Sequence, residues 1–185
     1  MRVLIILLLL FLSCNSQDVS QTETYTLIKK IEQVEIREYK PLFFASYINT
    51  NTEETNHNSS FRVLANYIFG ANKKEEKIAM TSPVIIRPFN NNEMLFRMPN
   101  KYNIDNIPEA NNTKVKFIET PHTKKAILKY SGYSNRNKEN KKIKELKEVL
   151  ERHGIKHNNM FEVLIYNSPY QMFNRRNEIS VNILN

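Results

Sequence analysis

Short apolar runs, one amphipathic helix, then two more runs: the chain goes through this order twice. In the first copy, Tyr25–Ile31, Val34–Tyr39 and residues 42–48 have strand character, and Val34–Tyr39 alternates apolar and charged residues as a half-buried strand does. Residues 49–57 are polar and turn-like. Ser59 or Ser60 can then cap a helix whose apolar residues Phe61, Leu64, Ala65 and Ile68 fall at i, i+3, i+4 and i+7, with Gly70 as its stop. Strands resume over 77–86 and 94–98. The second copy places strands at 114–118 and 125–130 around a turn at Pro121-His122. Ser134 or Asn135 opens a longer helix with Ile143, Leu146, Val149 and Leu150 inward, Gly154 ends it, and strands at 161–166 and 178–183 close the chain. Each strand must bury a face, so the two copies predict one pseudo-symmetric α+β domain: an open or distorted antiparallel β-barrel flanked by two α-helices. A cleft between helix and sheet is the natural ligand site in such a frame.

The composition removes much familiar chemistry. A length of 185 residues fits one domain. Three glycines leave no G-x-G-x-x-G or phosphate-binding loop. A single cysteine excludes a disulfide scaffold and multi-cysteine metal sites. The histidines at 57, 122, 153 and 157 have no metal-ligand spacing, and His122, His153 and His157 read as surface residues. The net charge of +8 is scattered, and its densest run, residues 138–145, is broken by glutamates at helical spacing. That run reads as a solvated helix face, so nucleic acid is not an expected partner.

The N-terminus has a different character. Met1-Arg2 precedes ten apolar residues, 3–12, and then Ser13-Cys14. This is the pattern of a secretory signal, about half the ~20 residues a membrane span needs. A cysteine at the end of the run resembles a bacterial lipobox, so residues 1–14 read as a signal peptide with Cys14 as the lipidated residue. Residues 15–24 are a polar tether and 25–185 the folded domain. The expected location is extracytoplasmic and membrane-anchored. The alternative is an ordinary secreted protein, with acceptor sequons at Asn58 and Asn111.

Four segments are more specific than composition: Glu35-Ile-Arg-Glu-Tyr-Lys-Pro41; Tyr67-Ile-Phe-Gly-Ala-Asn72 followed by Lys77-Ile-Ala-Met-Thr-Ser-Pro-Val84; Tyr166-Asn-Ser-Pro169; and Arg175-Arg-Asn-Glu178. In this order and spacing the chain resembles the SOUL family of heme-binding proteins from about Tyr25 to Leu184. The family's fold is a distorted β-barrel with two helices, similar to the ligand-binding domains of GyrI-like regulators. The resemblance implies non-covalent binding of heme or a related tetrapyrrole in a hydrophobic cleft near the first helix. Carried over residue by residue, it points to Phe61, Ala65 and Phe69 for packing against a flat ring, together with Leu64 and Ile68. Arg62 or Lys77 would meet propionates, and Met80 offers a soft sulfur of the kind that can ligate heme iron. The position at which some members have a histidine ligand falls at Glu38, a poor ligand for heme iron, which leaves the metal ligand unassigned.

Met80, Met94 and Met98 also fit as core filler, and Arg175 to Glu178 as a cluster pinning the last strand. With Cys14 used by the signal, the domain keeps no cysteine nucleophile, and it has no G-x-S-x-G elbow. A binding protein rather than an enzyme is expected, with heme or another small hydrophobic molecule as its partner. A GyrI-like binder of a different apolar ligand is the alternative, and a small-molecule hydrolase the more remote one.

Overall fold

The computed structural model describes residues 24–49, 57–168 and 170–184. The signal segment, Cys14, the tether apart from Thr24, and most of the polar turn at 49–57 lie outside the described residues. The elements are β1 (Tyr25–Ile31), β2 (Val34–Tyr39), β3 (Leu42–Tyr47), α1 (His57–Ile68), β4 (Val84–Arg87), β5 (Glu93–Arg97), β6 (Lys116–Thr120), β7 (Thr123–Ser131), α2 (Arg136–Arg152), β8 (Glu162–Ile165) and β9 (Arg176–Asn182). Among the described residues no helix is long and apolar enough to cross a membrane.

The nine strands form one antiparallel sheet in the order β1-β2-β7-β9-β8-β4-β5-β3-β6. Its pseudo-symmetry is visible at the centre, where β4 and β8 pair with Val84 opposite Ile165. On one side β4, β5 and β3 run outward; on the other, β8, β9 and β7 do the same. The two copies then exchange a strand: β2 leaves the first to pair with β7, and β6 leaves the second to pair with β3. The sheet curls into an open half-barrel, as the repeat predicted.

One face of the sheet carries both helices. Leu64, Ala65 and Ile68 of α1 and Leu146, Val149 and Leu150 of α2 are buried in one core with Val34, Ile36, Val84, Ile86, Met94, Ala126, Leu128, Val163, Ile179 and Val181. Asn135 caps α2, its side chain accepting from the Lys138 N–H, and Gly154 follows with φ +63°, a left-handed conformation suited to glycine at a helix stop. The opposite face has a smaller apolar cluster of Phe44, Ile85, Leu95 and Leu164.

Three expectations change. Helix α1 begins at His57, ahead of Ser59 and Ser60. The Ser59 hydroxyl accepts from Asn49 Nδ2 at 2.9 Å, which ties the helix to the end of β3, and Ser60 is buried. The strand expected over 77–86 forms only from Val84. Pro83 has no N–H to give a ladder, the Ile78 N–H is taken by the Ile68 carbonyl, and the Thr81 hydroxyl donates to the Arg97 carbonyl. Residues 77–83 thus cross from α1 to the sheet as an irregular strap. Finally, the charged side of β2 is not solvated: Glu35 and Arg37 are buried on the inner face of the curl.

Candidate ligand groove

An open groove of about 580 Å³ lies on the helix face. Val84 and Ile86 of β4, Met94 of β5 and Ile165 of β8 form its floor, because β-strand alternation turns these side chains toward the helices. Phe61 of α1 stands at one wall, edge-on to Phe96 at 5.2 Å. The strap supplies Met80, Thr81 and Ser82 at the rim. Tyr133 and Ser134, from the turn before α2, face them with Asn167, Ser168 and Arg175 of the β8–β9 loop. The floor and one wall are apolar, and the polar groups gather on one side. Arg175 lies over the Tyr133 ring at 4.6 Å, and its Nη1 donates to the Ser168 and Gln171 carbonyls.

Of the residues the sequence singled out, Phe61 and Met80 line this groove. Arg62, Phe69 and Lys77 are exposed and do not line it, while Ala65 is packed in the core beneath α1. Met94 and Met98 are buried, the former at the groove floor. Arg175, Tyr133 and Ser134 were not among the candidates for the site. The arginine cluster was visible as a motif, but nothing in its spacing showed that the β8–β9 loop returns beside the turn before α2. Among the described residues no histidine lines the groove. His122 stands 3.9 Å from Glu38, His153 is 2.9 Å from Glu32, and His157 packs edge-on to Phe161. Among the described residues no three His, Cys, Asp or Glu side chains cluster to hold a metal.

A second cavity, of about 50 Å³, lies on the inner face of the curl between Tyr25, Tyr39, Phe44, Arg87, Lys125 and Tyr166. It holds a few waters at most, at about 10–15 Å³ each, and cannot take a tetrapyrrole. Around it runs a buried polar network. Arg37 is fully buried and pairs with both oxygens of Glu178 at 2.9 Å, with Glu35 at 2.6 Å, and with the Tyr25 ring face at 4.3 Å. Arg176 and the Tyr166 hydroxyl also donate to Glu178. Further along, Glu162 accepts from Lys125 at 2.6 Å, Arg87 at 2.8 Å and Ser180 at 3.0 Å. Burial alone would raise these carboxyls. The hydrogen bonds and charge of Arg37 outweigh it at Glu178, and Lys125 with Arg87 bring Glu162 down to about 2. Burial holds the Tyr166 phenol well above its ordinary value, so it stays protonated and donates.

A model of the SOUL heme-binding protein family matches residues 20–182. No curated protein sequence matches the chain. Among solved structures, a hydrolase from Listeria innocua superposes with a TM-score of 0.57 at 8% identity, over 85% of this chain and 94% of that one. The EcmrR C-terminal domain superposes with a TM-score of 0.60 at 12% identity, over 82% and 97%. At such identities these two likenesses speak for the fold alone.

Proposed function

The chain belongs to the SOUL heme-binding protein family, and from that premise we propose that the groove beside α1 binds heme or a related tetrapyrrole non-covalently. The observation that carries this reading is the groove itself. At about 580 Å³ it falls within the roughly 300–1,000 Å³ of small-molecule sites, and the inner cavity is an order of magnitude smaller. A flat ring would pack on Val84, Ile86, Met94 and Ile165 against Phe61. The guanidinium of Arg175, with Ser134 and Tyr133, stands where an acidic substituent can be met, a role expected of Arg62 or Lys77 from the family resemblance. When bound, heme brings an iron centre, and Met80 and Met94 offer the groove's soft sulfur donors. Tyr166 also lines the groove, but its hydroxyl donates to Glu178, which makes it a poor ligand. Affinity therefore rests on apolar packing, in a binding protein for carriage or buffering. Lipidation of Cys14 would hold the domain at an extracytoplasmic membrane surface.

Hemin titration of the domain, followed by Soret absorbance, tests the reading. Saturable one-to-one binding is expected, weakened by Phe61→Ala and Met80→Ala. An unsaturable response like that of a non-binding control protein overturns it. That no described lining residue is a histidine favours a second reading, a different small hydrophobic ligand. In that case apolar compounds displace an environment-sensitive dye from the groove and hemin does not.

A further inference from the structure

The β8–β9 loop is built the opposite way round from an ordinary surface loop. Its one buried side chain among the described residues is an arginine, and its large apolar side chains turn out. Nη1 of Arg175, a buried residue, gathers the Ser168 and Gln171 carbonyls. The Gln171 N–H donates to the Ser168 carbonyl, and the Tyr170 N–H to the Ser168 hydroxyl. Asn167 accepts from the Arg176 N–H and donates to the Gln171 side chain, which in turn donates to the Phe173 carbonyl. On the outside Tyr170 is 91%, Phe173 80% and Met172 69% exposed. Each backbone group paired within the loop lowers the cost of entering a low-dielectric interface. No acidic residue occurs from Tyr166 to Asn177, while two arginines do. The loop borders the groove through Asn167, Ser168 and Arg175, and Met80 and Tyr133 at the groove's rim are half exposed.

The position of the tether selects what covers this surface. The described chain starts at Thr24, and Thr24 and Tyr166 wall the same small inner cavity. Tyr166 is the base of the loop, closed by its N–H to the Arg176 carbonyl. Ten residues, 15–24, separate Cys14 from the first strand. Ten residues reach at most about 33–36 Å. An anchor on that leash brings the loop's side of the domain to the bilayer.

The geometry points to a lipid surface as the occupant: Tyr170, Met172 and Phe173 dock into the headgroup–acyl boundary, and the groove opens toward the bilayer. An apolar ligand then passes between membrane and groove without crossing bulk water. The inference rests on the reading of Cys14 as the anchor, and the two are separable by experiment. The chain contains no tryptophan, so Phe173→Trp in the full-length, processed protein is a single reporter, with Ile104→Trp at another exposed position as its control. The vesicles are phosphatidylcholine–phosphatidylglycerol with bromine on part of the acyl chains. The Phe173→Trp protein is expected to lose roughly half its indole emission, as a side chain at the acyl boundary would, and the Ile104→Trp protein to keep its own. Flotation of wild type against Cys14→Ala reads the anchor independently. Quenching in the Phe173→Trp protein supports docking even if Cys14→Ala floats equally well. Unquenched emission from that variant overturns docking, whether or not the protein floats. A blue shift of the same emission that grows with protein concentration, without vesicles, also overturns it, since a second copy then covers the loop.

Discussion

Arg37 is the residue on which the inner face depends. A fully buried guanidinium is tolerable only because Glu35, Glu178, the Tyr39 hydroxyl and the Tyr25 ring surround it. Arg37→Met leaves Glu35 and Glu178 without their shared buried cation. It is expected to destabilise by about 3–5 kcal/mol, measured by urea unfolding; a loss below about 1 kcal/mol would show the network to be dispensable. The same face sets the acid response. Glu35 and Glu162 titrate near 2 in the folded protein against an ordinary 4.5: burial would raise both, and the cations Lys129 and Arg37, or Lys125 and Arg87, more than reverse it. Their folded pKa values are depressed, so their contribution is complete above pH 4.5 and declines as pH falls toward 2. Tm should therefore fall steeply within that window. Lys125→Met takes away one cation from Glu162 and should move the acid limb upward by about 1 pH unit. An unmoved limb would mean that other carboxylates govern acid unfolding.

The strap between α1 and β4 shows how a motif can be legible while its work is not. Tyr67 to Asn72 was conspicuous in the sequence as part of a family pattern. In the structure Asn72 is buried and organises the turn: its Oδ1 accepts from the Lys74 and Glu76 N–H groups, and its Nδ2 donates to the Tyr67 and Glu76 carbonyls. That turn aims residues 77–83, and hence Met80, at the groove. Asn72→Ala removes four hydrogen bonds to the backbone, the Tyr67 carbonyl keeping the Gly70 N–H, and should cost about 2–3 kcal/mol, with weaker binding at the groove. Unchanged binding in the folded variant would separate the turn from the site. Helix periodicity was readable because α2 buries Leu146, Val149 and Leu150 from one side only. The strap was not, because its Ile-Ala-Met-Thr sequence suits a strand and only Pro83 and the hydrogen bonds to Ile68 and Arg97 make it irregular.

At the scale of the whole molecule, alternation in β2 told which residues share a face but not that both faces are covered. Val34 and Ile36 meet the helices, and Glu35 and Arg37 meet the inner side of the curl; a flat sheet would have left the charges in water. The curl depends on partners far apart in sequence, and hydrophobic periodicity does not specify those. The same fact makes the repeat inseparable. Neither copy can complete its own sheet, since β2 needs β7, β6 needs β3, and β4 joins β8 at the centre. The connection from β5 to β6 runs from Met98 to Val115 outside any strand, so a cut between Thr113 and Lys114 removes no strand pairing. Each fragment alone is expected to lack a cooperative unfolding transition by circular dichroism, exposing the edges of β2 and β3 or of β6 and β7. Mixed, the two should restore one transition and the groove, whose wall needs Phe61 from the first fragment and Tyr133 from the second. A fragment that unfolds cooperatively by itself would show that the strand exchange is not what binds the two copies into one domain.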